Sequence, residues 1–147
     1  MLTQILSTFF ARDLRKLIDE INAFTNEADL WRTQGVVKNS AGNLALHIVG
    51  GSNYFFGTVL GGTGYIRDRD KEFAAKDIPK TELVAALEKT IPVVTGAIAG
   101  LSGQQLNSPF PIRFDGAENS TEYVIVQLLS HLNYHLGQVN YLRRTLA

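Results

Sequence analysis

Apolar residues recur every three or four positions in four stretches of the chain, the spacing that gathers side chains on one face of an α-helix. The first stretch runs from about Leu2 to Phe24, with Leu6, Phe10, Leu14, Leu17 and Ile21 along its stripe. The second runs from about Ser40 to Leu60 through Leu44, Ile48, Phe55 and Val59, and Ser40 stands where a cap is needed. Gly50, Gly51 and Gly57 weaken this helix, each costing about 1 kcal/mol against alanine. The third spans about Lys80 to Leu101, opens after Pro79, carries Leu83, Leu87, Ile91 and Ile98, and is expected to bend at Pro92. The fourth spans about Ser120 to Leu146 through Val124, Leu128, Leu132, Val139 and Leu142. Asn119 and Glu122 have the spacing of a reciprocal cap at its start.

No run alternates long enough to make a strand. Phe110 to Phe114, bracketed by Pro109 and Gly116, reads as extended loop. Four amphipathic helices predict an all-α fold, a four-helix bundle formed by residues 1–147 as one domain. The connections, about 25–39, 61–79 and 102–119, are each long enough to run the length of a helix, so their length leaves the helix order open.

Composition narrows the function. Fourteen Lys and Arg balance fourteen Asp and Glu, a net charge of zero, which argues against nucleic acid or an anionic membrane as partner. The densest charged run, Arg67-Asp68-Arg69-Asp70-Lys71-Glu72, alternates in sign. Alternation favours a salt-bridged crossover, with Arg67 or Arg69 pairing with Asp68, Asp70 or Glu72, over an anion-binding loop. The absence of cysteine excludes a disulfide framework, a thiolate metal site and a cysteine nucleophile. The N-terminus lacks the early positive charge of a signal peptide, and the most apolar stretch, Ile91 to Leu101, is about half a membrane span. A cytoplasmic protein is expected.

The three histidines all fall near the middle of predicted helices: His47 in the second, His131 and His135 in the fourth. His131 and His135 are four residues apart, one turn above each other, so two neutral imidazoles there can reach one ion. An imidazole from a facing helix would complete a three-nitrogen set with open positions, the pattern of catalytic rather than structural metal sites. The competing reading is a satisfied pair at the core boundary. Gly50, three residues after His47 on the same face, leaves room beside that ring. Asn43, one turn before His47, and Gln138, three residues after His135, are candidates to orient an imidazole or contact a bound molecule. Tyr134 points about 100° away from its neighbour His135 and is expected to pack. Trp31 is expected to close one end of the core. Ser130 beside His131 lies on a different helical face and makes no dyad, and Gly61-Gly62-Thr63-Gly64 lacks the strand and lysine of a phosphate loop. No carboxylate stands beside the histidines in sequence, which favours thiolate delivery or Lewis-acid chemistry over protease-like hydrolysis.

Three segments together resemble the DinB/YfiT-like metalloenzyme family: Asn39 to His47, Thr63 to Phe73, and His131-Leu132-Asn133-Tyr134-His135-Leu136-Gly137-Gln138 with its continuation to Arg144. Asp29-Leu30-Trp31 extends the resemblance to nearly the whole chain. It implies a four-helix bundle in up-down-down-up order, a divalent ion, zinc or nickel, on His47, His131 and His135, and a homodimer. It further implies a small-molecule substrate, such as a low-molecular-weight thiol in an S-transferase. A metal-dependent hydrolase and a non-catalytic metal- or ligand-binding protein are the alternatives. The chain departs from the family pattern at Gly51, where asparagine is usual after the glycine that follows the histidine.

Overall fold

A computed structural model describes residues 1–147. The chain is all-helical, with α1 Leu2–Asn22, α2 Ala41–Ser52, α3 Arg69–Ala74, α4 Lys80–Ala99, α5 Gly103–Asn107 and α6 Thr121–Leu146. A 3₁₀ turn covers Glu27–Trp31, and α2 continues into a π-helical stretch, Asn53–Leu60. The four long segments are those predicted, and their apolar stripes meet in one core. Leu14, Leu17 and Ile21 of α1, Leu87, Val94 and Ile98 of α4, and Val124, Ile125 and Val139 of α6 lie inside it. No helix is long and apolar enough to cross a membrane.

The ends of these segments follow local chemistry. Ser40 caps α2 as expected, its Oγ accepting from Asn43 N at 3.2 Å. At α6 the cap is Ser120 rather than Asn119, with Ser120 Oγ accepting from Tyr123 N at 3.2 Å. Asn119 is engaged elsewhere: its carbonyl accepts from Phe110 N at 2.8 Å, pairing the extended segment with the approach to α6. Phe110 is thereby drawn into the core. Pro92 does not break α4, which runs through it unbroken. Trp31 packs against the core with its ring on Gly42, where a Cβ would lie 2.8 Å from it.

Polar ties connect the helices at specific levels. Between α1 and α6, Asn133 Nδ2 donates to Asp13 Oδ2 at 2.8 Å, and Asn140 Nδ2 donates to Glu20 Oε1 at 2.8 Å. Arg143 Nε reaches Glu20 Oε2 at 2.7 Å. Between α2 and α4, Asn53 Nδ2 donates to Thr90 Oγ1 at 3.0 Å, and Gly57 packs against Val93. Lys80 Nζ, at the start of α4, donates to Phe24 O, just past α1, at 2.6 Å.

The connection 61–79 decides what surrounds the histidines. Instead of passing directly from one segment to the next, it folds α3 against α2. Asp68 caps α3, its Oδ1 accepting from Lys71 N at 3.1 Å. Buried Asn43 then fastens the helix from α2, its Nδ2 donating to Glu72 O at 3.0 Å and Ala75 O at 2.8 Å. Its Oδ1 accepts from Ser40 Oγ at 2.6 Å and Lys76 Nζ at 2.7 Å, so a buried amide is fully engaged.

Candidate metal centre

α2 delivers His47 and α6 delivers His131 and His135 to one point. His47 Nε2 lies 3.1 Å from His131 Nε2, and His135 Nε2 lies 3.0 Å from His131 Nε2. One ligand atom from each of the three lies within 4.8 Å of the others. His47 is buried, His135 half-buried and His131 exposed, so the cluster opens outward along α6.

The outer nitrogens settle which way the rings present themselves. His47 Nδ1 lies 3.0 Å from Glu72 Oε1, and a carboxylate oxygen only accepts, so Nδ1 carries the proton. His135 Nδ1 donates in the same way to Gln138 Oε1 at 2.7 Å. Both Nε2 atoms are then bare lone pairs, and both face His131 Nε2. A neutral His131 offers at most one proton there for two acceptors. Further protonation is opposed by the surroundings: although the residue is exposed overall, partial desolvation of its imidazole comes first, then the charges of His135, His47, Arg67 and Arg69, which together push His131 down to about 4. Burial also lowers His47, against the opposing effect of the Glu72 hydrogen bond, and lowers His135.

Three close nitrogens with too few protons between them are the donor set a divalent cation satisfies. Tetrahedral ligands at about 2.0–2.1 Å from zinc sit about 3.3–3.4 Å apart, near the two spacings that His131 makes, while the three ligand atoms together lie within 4.8 Å. The residues present therefore fit a bound ion.

Glu72 is the residue that sequence reasoning missed at this site. Its Oε1 takes the His47 proton and also accepts from Arg67 Nη2 at 3.0 Å, while Oε2 accepts from Arg67 Nε at 2.9 Å. The two-pronged contact holds the carboxylate in one orientation and balances its charge inside the fold. Arg67 pairs with Glu72 as a salt-bridged crossover requires, but that bridge also backs an imidazole. The signal was Gly50. The room it leaves beside His47 is filled by Glu72, whose carboxylate a Cβ at position 50 would overlap. Gly51 lies beside the same ion pair, where a Cβ would make ordinary contact with Arg67 Nη2 at 3.4 Å.

Of the two candidate orienting residues, Gln138 touches an imidazole and Asn43 does not. Asn43 fastens the backbone of α3 and so acts on His47 only by keeping Glu72 in place. Tyr134 does not pack into the core. It is 65% exposed, its ring 5.4 Å from that of His135, and it borders the cavities on both sides of the cluster. One cavity, about 520 Å³, is reached past His47 and His131 and is walled by Phe55 and Phe114, with Arg67 and Arg69 on its rim. The other, about 680 Å³, lies on the side of His135 and Gln138.

A family profile described as "Protein of unknown function (DUF1572)" matches residues 2–147. The chain belongs to this family. No curated protein matches the sequence. Family membership extends over every residue that builds the histidine cluster and its supports, so the site belongs to the family's domain rather than to an appended segment.

Proposed function

We propose that this protein is a divalent-metal-dependent enzyme of the DinB/YfiT-like kind, with His47, His131 and His135 as the ligands of zinc or nickel. The observation that carries this is the convergence of three Nε2 atoms whose partner nitrogens, on two of the rings, are already committed as donors. Imidazole suits either metal. When bound, a divalent cation would supply the positive charge that lowers the pKa of a thiol or water at its open position.

The chain's own residues do the rest. Glu72 and Gln138 keep the rings of His47 and His135 in the tautomer that turns a lone pair inward. Arg67 holds Glu72, so this carboxylate is not free to act as a general base on water. That arrangement favours transfer of a low-molecular-weight thiol over metal-assisted hydrolysis.

The same reading includes a four-helix bundle in up-down-down-up order. The ties Asp13–Asn133 and Glu20–Asn140 advance together along α1 and α6, supporting a parallel pair. Asn53–Thr90 and Gly57–Val93 advance together along the second and third segments. The link from Phe24 to Lys80 joins the end of α1 to the start of α4, as antiparallel neighbours require.

The test is metal content. Protein purified from cells grown with trace metals is expected to carry about one divalent ion per chain, as one three-histidine site allows. His131→Ala and His135→Ala are expected to abolish it, and His47→Ala to reduce it strongly, with helix content retained. Elemental analysis reads all four proteins. Wild-type content in all three variants would overturn the assignment.

A further inference from the structure

Arg67 and Arg69 both border the cavity beside His47 and His131, but only one of them is occupied. Arg67 gives its guanidinium to Glu72. Arg69 takes part in none of the chain's ion pairs and in none of its side-chain hydrogen bonds. It is nevertheless placed: its Cζ lies 5.3 Å from the centre of the Phe73 ring, and that ring lies 4.8 Å from the ring of His47. A guanidinium held near an aromatic ring with its N–H groups uncommitted can still offer them in the two-pronged contact that suits an oxyanion. Asp115 also borders the cavity but makes no ion pair with Arg69.

The cavity also has an apolar wall. Phe55 is in edge contact with Phe114, ring centres 5.3 Å apart. His47 and His131 line the same cavity as this wall and Arg69.

We infer that this cavity takes a small amphipathic anion, with a carboxylate or phosphate head on Arg69 and an apolar body against Phe55 and Phe114, and so presents the body of the substrate to the histidine cluster. This rests on the histidine cluster being the reacting centre, since it names the substrate class of that site. The anchor itself is built from Arg69 and the aromatic wall, so its binding can be measured with no metal present.

The test uses the full chain, once treated with a chelator and once loaded with zinc, titrated with 3-phenylpropanoate, its neutral amide, and 2-phenylethyl phosphate. Binding is followed by amide chemical shifts. In the chelated protein both anions are expected to bind about tenfold more tightly than the amide, the effect of one charge-assisted hydrogen bond. Shifts should centre on Phe55, Arg69 and Phe114. Arg69→Gln, an exposed position where folding is not at stake, should erase the preference for anions, while Arg144→Gln on the last turn of α6 should leave it. Equal affinity for anion and amide, a preference that survives Arg69→Gln, or no binding of any probe at millimolar concentration would overturn the proposal. Charge discrimination by a chain that holds no metal would sustain this anchor while removing the metal reading. A one-ion protein without discrimination would do the reverse.

Discussion

Asp13 and Glu20 stand seven residues apart on α1, facing Asn133 and Asn140, which are seven apart on α6; Glu72 stands on α3, facing His47 of α2. Asp13 and Glu72 are buried, Glu20 is half-buried, and all three are paired with arginine, Asp13 with Arg12, Glu20 with Arg143 and Glu72 with Arg67. The first two networks end where they begin. Each asparagine donates into a carboxylate, and no donor is passed onward. The third does not close. Glu72 accepts a hydrogen bond from one imidazole nitrogen, and the other nitrogen is left as a bare lone pair facing the other histidines. The same ingredients build a seam in one place and a candidate reactive site in the other. The difference is the partner: an amide spends its hydrogen bonds locally, whereas an imidazole conveys the effect of a bond at one nitrogen to the other.

Gly50 offers the sharpest way to break this contrast. Gly50→Ala places a Cβ inside the Glu72 carboxylate and should drive Glu72 away from His47. Metal affinity is expected to fall by about 10- to 100-fold, with a loss of about 1–3 kcal/mol of stability from the overpacking. Competition with a chromophoric chelator and denaturant titration measure the two effects. Glu72→Gln keeps an acceptor for His47 Nδ1 and should cost less affinity, about tenfold at most. Unchanged affinity in Gly50→Ala would show that the backing carboxylate is dispensable.

The α1–α6 seam should respond in the opposite sense. Asp13 is fully buried and accepts from Arg12 and Asn133. Asp13→Ala removes the acceptor for both and is expected to cost about 1–3 kcal/mol in denaturant titration, while metal content stays at the wild-type level. Loss of metal in this variant would mean that the two networks are coupled through α6.

Acid separates the networks by smaller increments. Burial holds the histidines below their ordinary value, with His131 at about 4. In the metal-free protein the unfolded chain then binds protons that the folded chain refuses, so stability should begin to fall as pH drops through about 6.5. Asp13 and Glu20 are also held low: burial raises both, but hydrogen bonds from Arg12 and Asn133, and from Arg143 and Asn140, outweigh it. Their contribution is present above the ordinary carboxylate range and is lost only as pH falls through their lower folded values. Thermal melts against pH should show the histidine phase first, and His131→Ala should diminish it. Metal affinity should stay level through about pH 6.5 and weaken below it, because the folded histidines resist protonation down to that point.

The positions of the long helices were legible because an amphipathic helix declares itself over a few turns. Leu14, Leu17 and Ile21 had to be buried together wherever α1 packed. Ser40 was legible as a cap because capping needs only the residues that follow it. Asn119 was not, because its carbonyl is taken by Phe110, a partner that becomes its neighbour only when the connection folds back. Gln138 was within reach of His135 on any helix, and the hydrogen bond is there. Asn43 had the same helical relation to His47, yet its amide is drawn away by Glu72 O and Ala75 O. Tyr134 was expected to pack because it points about 100° away from His135 along the helix, but the side chain stays 65% exposed.

Local spacing settled what lies along one helix: four apolar stripes, the pairing of His131 with His135, the absence of any thiol. These depend on covalent connectivity and a pitch of about 3.6 residues per turn, which every α-helix shares. The joining of His47 to that pair, and of Glu72 to His47, was decided in three dimensions. The second contact links residues 25 positions apart through a short helix that gains its place only by docking on α2. A helix of six residues is too short to hold itself in water and has no stripe long enough to read. Its orientation, and with it the proton on His47 Nδ1, came from Asn43, Arg67 and the space left by Gly50 acting at once.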